Sequence, residues 1–181
     1  MFLHGGWLHV AGNMLFLWIF GDNLEEVLGH LGFALFYISC GIAASLTQVL
    51  SDPWSQIPMV GASGAIAGVM GGYLLLFPKA RVDVILILFI FFKIFSMPAW
   101  IVLGVWFAIQ IVSGMMIDMS GGGVAHWAHA GGFVAGALLA IPVWLKRGGA
   151  QYWRQTHGAP PHPEARYPIS RSSLPKVRRK K

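Results

Sequence analysis

The sequence predicts an all-α polytopic membrane protein, and three observations carry that reading. Only 11% of the 181 residues are charged while 56% are hydrophobic, against roughly 25% charged in an ordinary soluble domain. Apolar runs that approach the roughly 20 residues needed to cross a bilayer recur along the chain. The charges are also segregated: three basic and six acidic residues precede Lys146, and ten basic residues and one acid follow from there. Behind a membrane body, such a basic tail sets topology or touches anionic lipid, so no nucleic-acid partner is expected. The single Cys40 excludes an internal disulfide. Met1 runs almost at once into apolar sequence with no basic region before it, so no cleavable signal peptide is expected.

A first apolar helix is expected from near Gly6 through Phe20; it reaches the length of a crossing only by continuing toward Val27 and Leu28. A second runs from about Leu31 to Leu50 and gives way to the turn residues Ser51, Asp52, Pro53 and Trp54. The third follows Pro58, carries Ser63 and ends at Pro78, with Lys79 and Arg81 just beyond. Val84 to Phe92 is strongly apolar but is cut short by Lys93 and Pro98, and is read as an interfacial or re-entrant segment. The fourth and fifth crossings are Ala99 to Ile117 and about Val124 to Leu145. Lys79/Arg81 and Lys146/Arg147 should both face the cytoplasm, a condition that five crossings meet if Met1 starts outside a plasma or inner membrane. His4, Ser63 and His129 then share the outer ends of their helices. Residues 1–147 form the transmembrane domain, and residues 148–181, rich in Pro, Gly, Arg and Ser, read as a disordered, basic cytoplasmic tail.

Within this frame, Val60 to Gly72 is the most distinctive stretch. Gly61, Gly64, Ala67, Gly68 and Gly71 recur at three- and four-residue spacing and so form a stripe along which another helix can approach closely. Ala125, Ala128, Gly132 and Gly136 form a second such stripe, with His129 beside it. Packing of the two stripes would bring the Ser63 hydroxyl to the His129 imidazole. A serine hydroxyl needs a base to remove its proton as it attacks, and imidazole suits that task. Asp118 is the only acid near His129 in sequence and lies in the preceding loop, so a dyad is expected rather than a triad. Donors for a developing oxyanion are offered by His9 and Asn13, four apart on one helix face, with His4 just before. Other readings of the same residues remain open. Ser63 could be a helix-packing residue and Asn13 an interhelical link; His126 and His129, with His4 and His9, could hold zinc in a transporter or metal-handling protein. His126, one turn nearer the loop than His129, is read as a mouth or packing residue.

Taken together, the motifs resemble those of rhomboid intramembrane serine proteases. They are His4, four residues, His9, three residues, Asn13; Gly21, three residues, Glu25, three residues, Gly29; Gly-Ala-Ser-Gly at 61–64; and Ala128-His129 with Gly132 and Gly136. All fall in the family's order over roughly residues 2–145. The resemblance implies a rhomboid-like helical bundle with about five transmembrane helices, Ser63 as nucleophile and His129 as general base. It further implies an oxyanion hole from Asn13, His9 and the Ser63 backbone N–H, with Gly61 among the substrate-stabilising positions. Gly64, Gly68, Gly132 and Gly136 would pack the helices that carry the site. The implied partners are transmembrane protein substrates, cut near the outer membrane face, and the lipid bilayer, including anionic lipid at the basic tail; no cofactor or metal is implied. The alternative within the family is a catalytically inactive protein that binds transmembrane helices. The family's core has six helices and this sequence opens at what would be the second, so the first helix and the long outer loop after it are expected to be absent. Where some members carry an aromatic residue four positions after the serine, packed on the catalytic histidine, this chain has Ala67; other contacts must hold His129.

Overall fold

A computed structural model describes residues 1–54, 58–88, 91–116 and 124–161. Its elements are α1 (Trp7–Leu28), α2 (His30–Ser51), α3 (Ser63–Leu76), β1 (Arg81–Leu88), β2 (Phe91–Pro98), α4 (Ala99–Met116), α5 (His126–Lys146) and α6 (Ala150–Thr156). The five helices expected from the apolar runs are all present. Among the described residues, three of them (α2, α4 and α5) are long and apolar enough to cross a membrane. Helix α1 has the length but carries Asp22, Glu25 and Glu26, and α3 has only 14 residues.

α3 is the centre of the bundle. Ten of its 14 residues are buried, against four of 22 in each of α1 and α2, and it touches α1, α2, α4 and α5. Its composition explains how one helix can be surrounded so closely. A methyl group on Gly132 or Gly136 would run into the carbonyl oxygens of Gly64 or Gly68, and one on Gly71 would meet the Phe133 carbonyl. The two small-residue stripes read from the sequence therefore face each other backbone to backbone, and with no hydrophobic drive between helices in lipid, this contact area is what holds them together. On the opposite side, Gly64 and Gly68 admit Ala44 and Cys40 of α2.

α2 shows the inverse of a soluble amphipathic helix. Leu31, Leu35, Ile38, Ile42, Leu46 and Val49 follow one stripe and are 45–75% exposed, while Phe36, Cys40 and Ala44 are buried. An exposed apolar stripe of this length is stable against hydrocarbon and unfavourable against water. At the α1–α2 turn, Gly29 takes φ +72° and donates its N–H to the Glu25 carbonyl at 2.7 Å. A residue with a side chain would be strained there, which gives the last glycine of the Gly21–Glu25–Gly29 motif a structural role.

One expectation is filled in and one is corrected. The segment read as interfacial or re-entrant, Val84 to Phe92, is extended: β1 and β2 run antiparallel and pair Arg81 with Pro98 and Ile85 with Ile94, a short addition to the helical bundle. The run is rich in β-branched and aromatic residues, which suit a strand, and its register is tied at the base by Arg81 Nε donating to Ser96 Oγ at 2.9 Å. The tail, expected to be disordered from residue 148, is folded at its start. α6 buries Tyr152 against the core, Trp153 Nε1 donates to the Leu75 carbonyl at 2.9 Å, Trp144 and Trp153 pack at 4.8 Å between ring centroids, and the Lys79 N–H reaches the Gly158 carbonyl at 2.8 Å. Seven helical residues show no usable periodicity, so this docking is visible only through its tertiary partners. The rest of the predicted tail, residues 162–181, lies outside the described residues, as does Asp118.

Candidate active site

The short central helix creates the site. At about 1.5 Å per residue, α3 is about 21 Å long and α2 about 33 Å. The first turn of α3 packs at Gly64 against Ala44, while α2 runs on to Ser51, and the space above α3 is a cavity of about 850 Å³ lined by residues of α1 to α5 and the loop before α3. Ser63, the first residue of α3, lines that cavity with His9, Asn13 and His129. As a first-turn residue, its N–H has no carbonyl one turn earlier to bond, and the helix dipole favours negative charge at this end.

His129 Nε2 stands 2.7 Å from Ser63 Oγ, the juxtaposition expected from the two stripes. The third partner of the imidazole is a neutral amide: Gln110 Oε1, on α4, lies 2.9 Å from His129 Nδ1. His126 Nδ1 lies 2.9 Å from the same oxygen, so the residue read as a mouth or packing position also belongs to the polar cluster around His129. Trp106 packs on the His129 ring at 5.7 Å between centroids, and Phe133 packs on Trp106 and Phe107. These contacts do what an aromatic residue at position 67 would do; Ala67 itself is fully buried in the core.

The two donor candidates on α1 are differently engaged. The Gly5 N–H donates to His9 Nδ1 at 3.3 Å, which leaves the proton on Nε2, the ring edge that faces Gly61. Asn13 is buried, one of its two amide N–H groups is given to the His9 carbonyl at 2.8 Å, and its Oδ1 has no partner. One Asn13 N–H therefore remains to be donated. His4 does not line the cavity; it packs edge-on against His9, at 5.2 Å. Gly61 differs from expectation. Its N–H is taken by the Leu3 carbonyl at 2.6 Å, so it is not a free donor. What the site needs from it is space and backbone freedom, since φ is +104° and a Cβ would stand 2.7 Å from the His9 ring.

Gln110, Trp106 and Gln48 were not singled out from the sequence. Gln48 Oε1 accepts the Ala128 N–H at 3.1 Å and so holds the start of α5. For Gln110 a signal existed: it is an amide in a helix that is otherwise apolar but for Ser113, where a polar group needs a partner. Both ring nitrogens of His129 are engaged, by Ser63 and Gln110, so neither is free for the metal set weighed for the histidines.

The fold and site define a multi-pass helical membrane protein with a serine–histidine pair facing an intramembrane cavity. The chain belongs to the rhomboid family: the family's Rhomboid domain matches residues 1–146. It is 33% identical to Rhomboid-like protein 11, chloroplastic, of Arabidopsis thaliana over 80% of its length and 49% of that protein. It is 32% identical to Rhomboid protein 1, mitochondrial, of Saccharomyces cerevisiae over 76% of its length and 38% of that protein. Rhomboid protease GluP of Bacillus subtilis is 31% identical over 82% of this chain and 26% of its own length. The chain thus spans half or less of these relatives. No solved structure matches it significantly.

Proposed function

We propose that the protein is an intramembrane serine endopeptidase that cleaves transmembrane-anchored substrates with a Ser63/His129 dyad, near the outer membrane face. The observation that carries this reading is the 2.7 Å Ser63–His129 contact at the floor of a cavity; similarity to a relative named as a protease supports it. Ser63 Oγ attacks the scissile carbonyl as its proton passes to His129 Nε2, and the carbonyl electron pair moves onto oxygen. The Asn13 amide, the His9 Nε2–H and the Ser63 N–H stabilise that oxyanion. His129 then gives the proton to the departing amine as the C–N bond breaks, and water, activated in the same way, hydrolyses the acyl ester. An intact substrate helix hides its carbonyls, so segments rich in helix-weakening residues enter most easily. The basic ends of α3 and α5 would face the cytoplasm, with the tail against anionic lipid.

The test is cleavage of a reporter transmembrane substrate in proteoliposomes by this chain and its Ser63→Ala variant, together with labelling by a serine-directed fluorophosphonate. Labelling that persists in Ser63→Ala removes Ser63 from the role, and a chain that binds reporter helices without labelling or cutting would be the inactive alternative. Asn13→Ala is expected to lower kcat roughly 10²-fold, as loss of one oxyanion donor does, while the purified protein unfolds at the same temperature; failure to accumulate in the membrane would instead make Asn13 structural. Activity is also expected to fall as pH is lowered, because a protonated imidazole has no lone pair at Nε2 to accept the Ser63 proton. A rate that shows no fall at any acid pH where the protein stays folded contradicts a neutral-imidazole base.

A further inference from the structure

One buried polar group is not used by the dyad chemistry as written. Gln110 is 7% exposed and sits in α4, whose remaining residues apart from Ser113 are apolar or glycine. Its Oε1 meets two imidazoles at once, at 2.9 Å from Nδ1 of His126 and 2.9 Å from Nδ1 of His129; three residues apart on α5, the two share a helix face. A carbonyl oxygen only accepts, and it has two lone pairs. With Oε1 as the shared acceptor, the matching arrangement has the ring proton on Nδ1 in both histidines.

For His129 the consequence is chemical. With the proton on Nδ1, its Nε2 bears the lone pair, and Nε2 is the atom 2.7 Å from Ser63 Oγ. A reversed amide would donate its NH₂ to Nδ1, move the ring proton to Nε2 and leave nothing to accept the serine proton. We propose, building on the protease reading above, that Gln110 is a positioning residue that holds His129 as the Nδ1–H tautomer, and that His126, donating to the same oxygen, locks the Gln110 amide in the required orientation. It takes the place a carboxylate has in a triad, in a neutral form that avoids an ionised group at membrane depth. When His129 becomes imidazolium during attack, the Nδ1–H···Oε1 bond turns charge-assisted and strengthens where it is needed.

The experiment is ¹⁵N-histidine NMR of the full chain in detergent micelles, with His129 assigned by comparison with His129→Asn, alongside kcat and KM on the reporter substrate. The wild type should show a protonated Nδ1 and a bare Nε2 at His129. Gln110→Met should lose that single tautomer and drop kcat roughly 10- to 10²-fold with KM nearly unchanged. Gln110→Glu keeps an acceptor oxygen at the same reach, and should restore both the tautomer and most of the rate. His126→Phe should give a mixed tautomer. A wild-type His129 protonated at Nε2 overturns the proposal, as does Gln110→Met with tautomer and kcat intact; should that variant not fold, the wild-type spectrum alone decides. The two readings separate cleanly. A chain that cuts its substrate but ignores Gln110→Met refutes only the positioning role, whereas a Gln110-dependent tautomer in a chain that neither labels nor cuts refutes only the protease.

Discussion

Replacing Ser63 by alanine is expected to lower reporter cleavage roughly 10⁴-fold or more and to abolish fluorophosphonate labelling. The size follows from what is removed. Ser63 Oγ is the atom 2.7 Å from His129 Nε2, and on the proposed mechanism its loss leaves the cavity its oxyanion donors but no nucleophile. His129→Ala should cost a comparable factor, because a serine hydroxyl without a base is a poor nucleophile. The double variant should be hardly worse than either single one, since groups that act as a unit are strongly non-additive. Additive losses, or a His129→Ala variant that labels at the wild-type rate, would show that the two residues do not work together.

The second large effect is expected where no chemistry occurs. Gly136→Leu drives a side chain into the Gly68 carbonyl across the α3–α5 contact. Backbone cannot give way as a flexible side chain does, so the helices must separate, and we expect a loss of about 3 kcal/mol or more. The same separation lengthens the Ser63–His129 contact, and a misplacement of about 1 Å costs on the order of 10² in rate. Labelling should therefore slow even in the fraction that folds. Gly104→Ala on α4 is the control, because a Cβ there meets nothing within 4 Å. Thermal unfolding in mixed micelles and labelling rates measure both. A Gly136→Leu protein with wild-type melting and labelling would mean that the close approach of the two stripes is not needed.

Much of the site could be read from the chain because it depends on periodicity. Gly64, Gly68, Gly132 and Gly136 recur every four residues, and two such stripes in lipid have one good way to pack, with backbones together. That packing sets Ser63 beside His129. The helix positions were legible for the same reason: an apolar run has to end where charge, Pro or Gly ends it, and α4, predicted from Ala99 to Ile117, spans Ala99–Met116. The placing of His9 and Asn13 on the cavity was legible because polar groups in an apolar helix need a reason to be there.

What the sequence could not determine depends on contacts between distant segments. Gln110 meets His129 only because α4 packs against α5 at one particular rotation, and nothing in an isolated helix sets that rotation. Gly61 was placed among the substrate-stabilising positions; only the tertiary fold revealed that Leu3 takes its N–H. α6 docks through the Trp153–Leu75 hydrogen bond and the burial of Tyr152, which seven residues of local sequence do not encode. The strand pair at Arg81–Pro98 was hidden because an apolar run of that length is compatible with either a strand or a short helix until its pairing partner is known. By itself, then, the sequence determined the membrane class, the helix positions and the serine–histidine pair, all consequences of composition and local period. The tertiary structure alone decided how His129 is oriented and where the chain after α5 lies, because both depend on hydrogen bonds and packing between groups far apart in sequence.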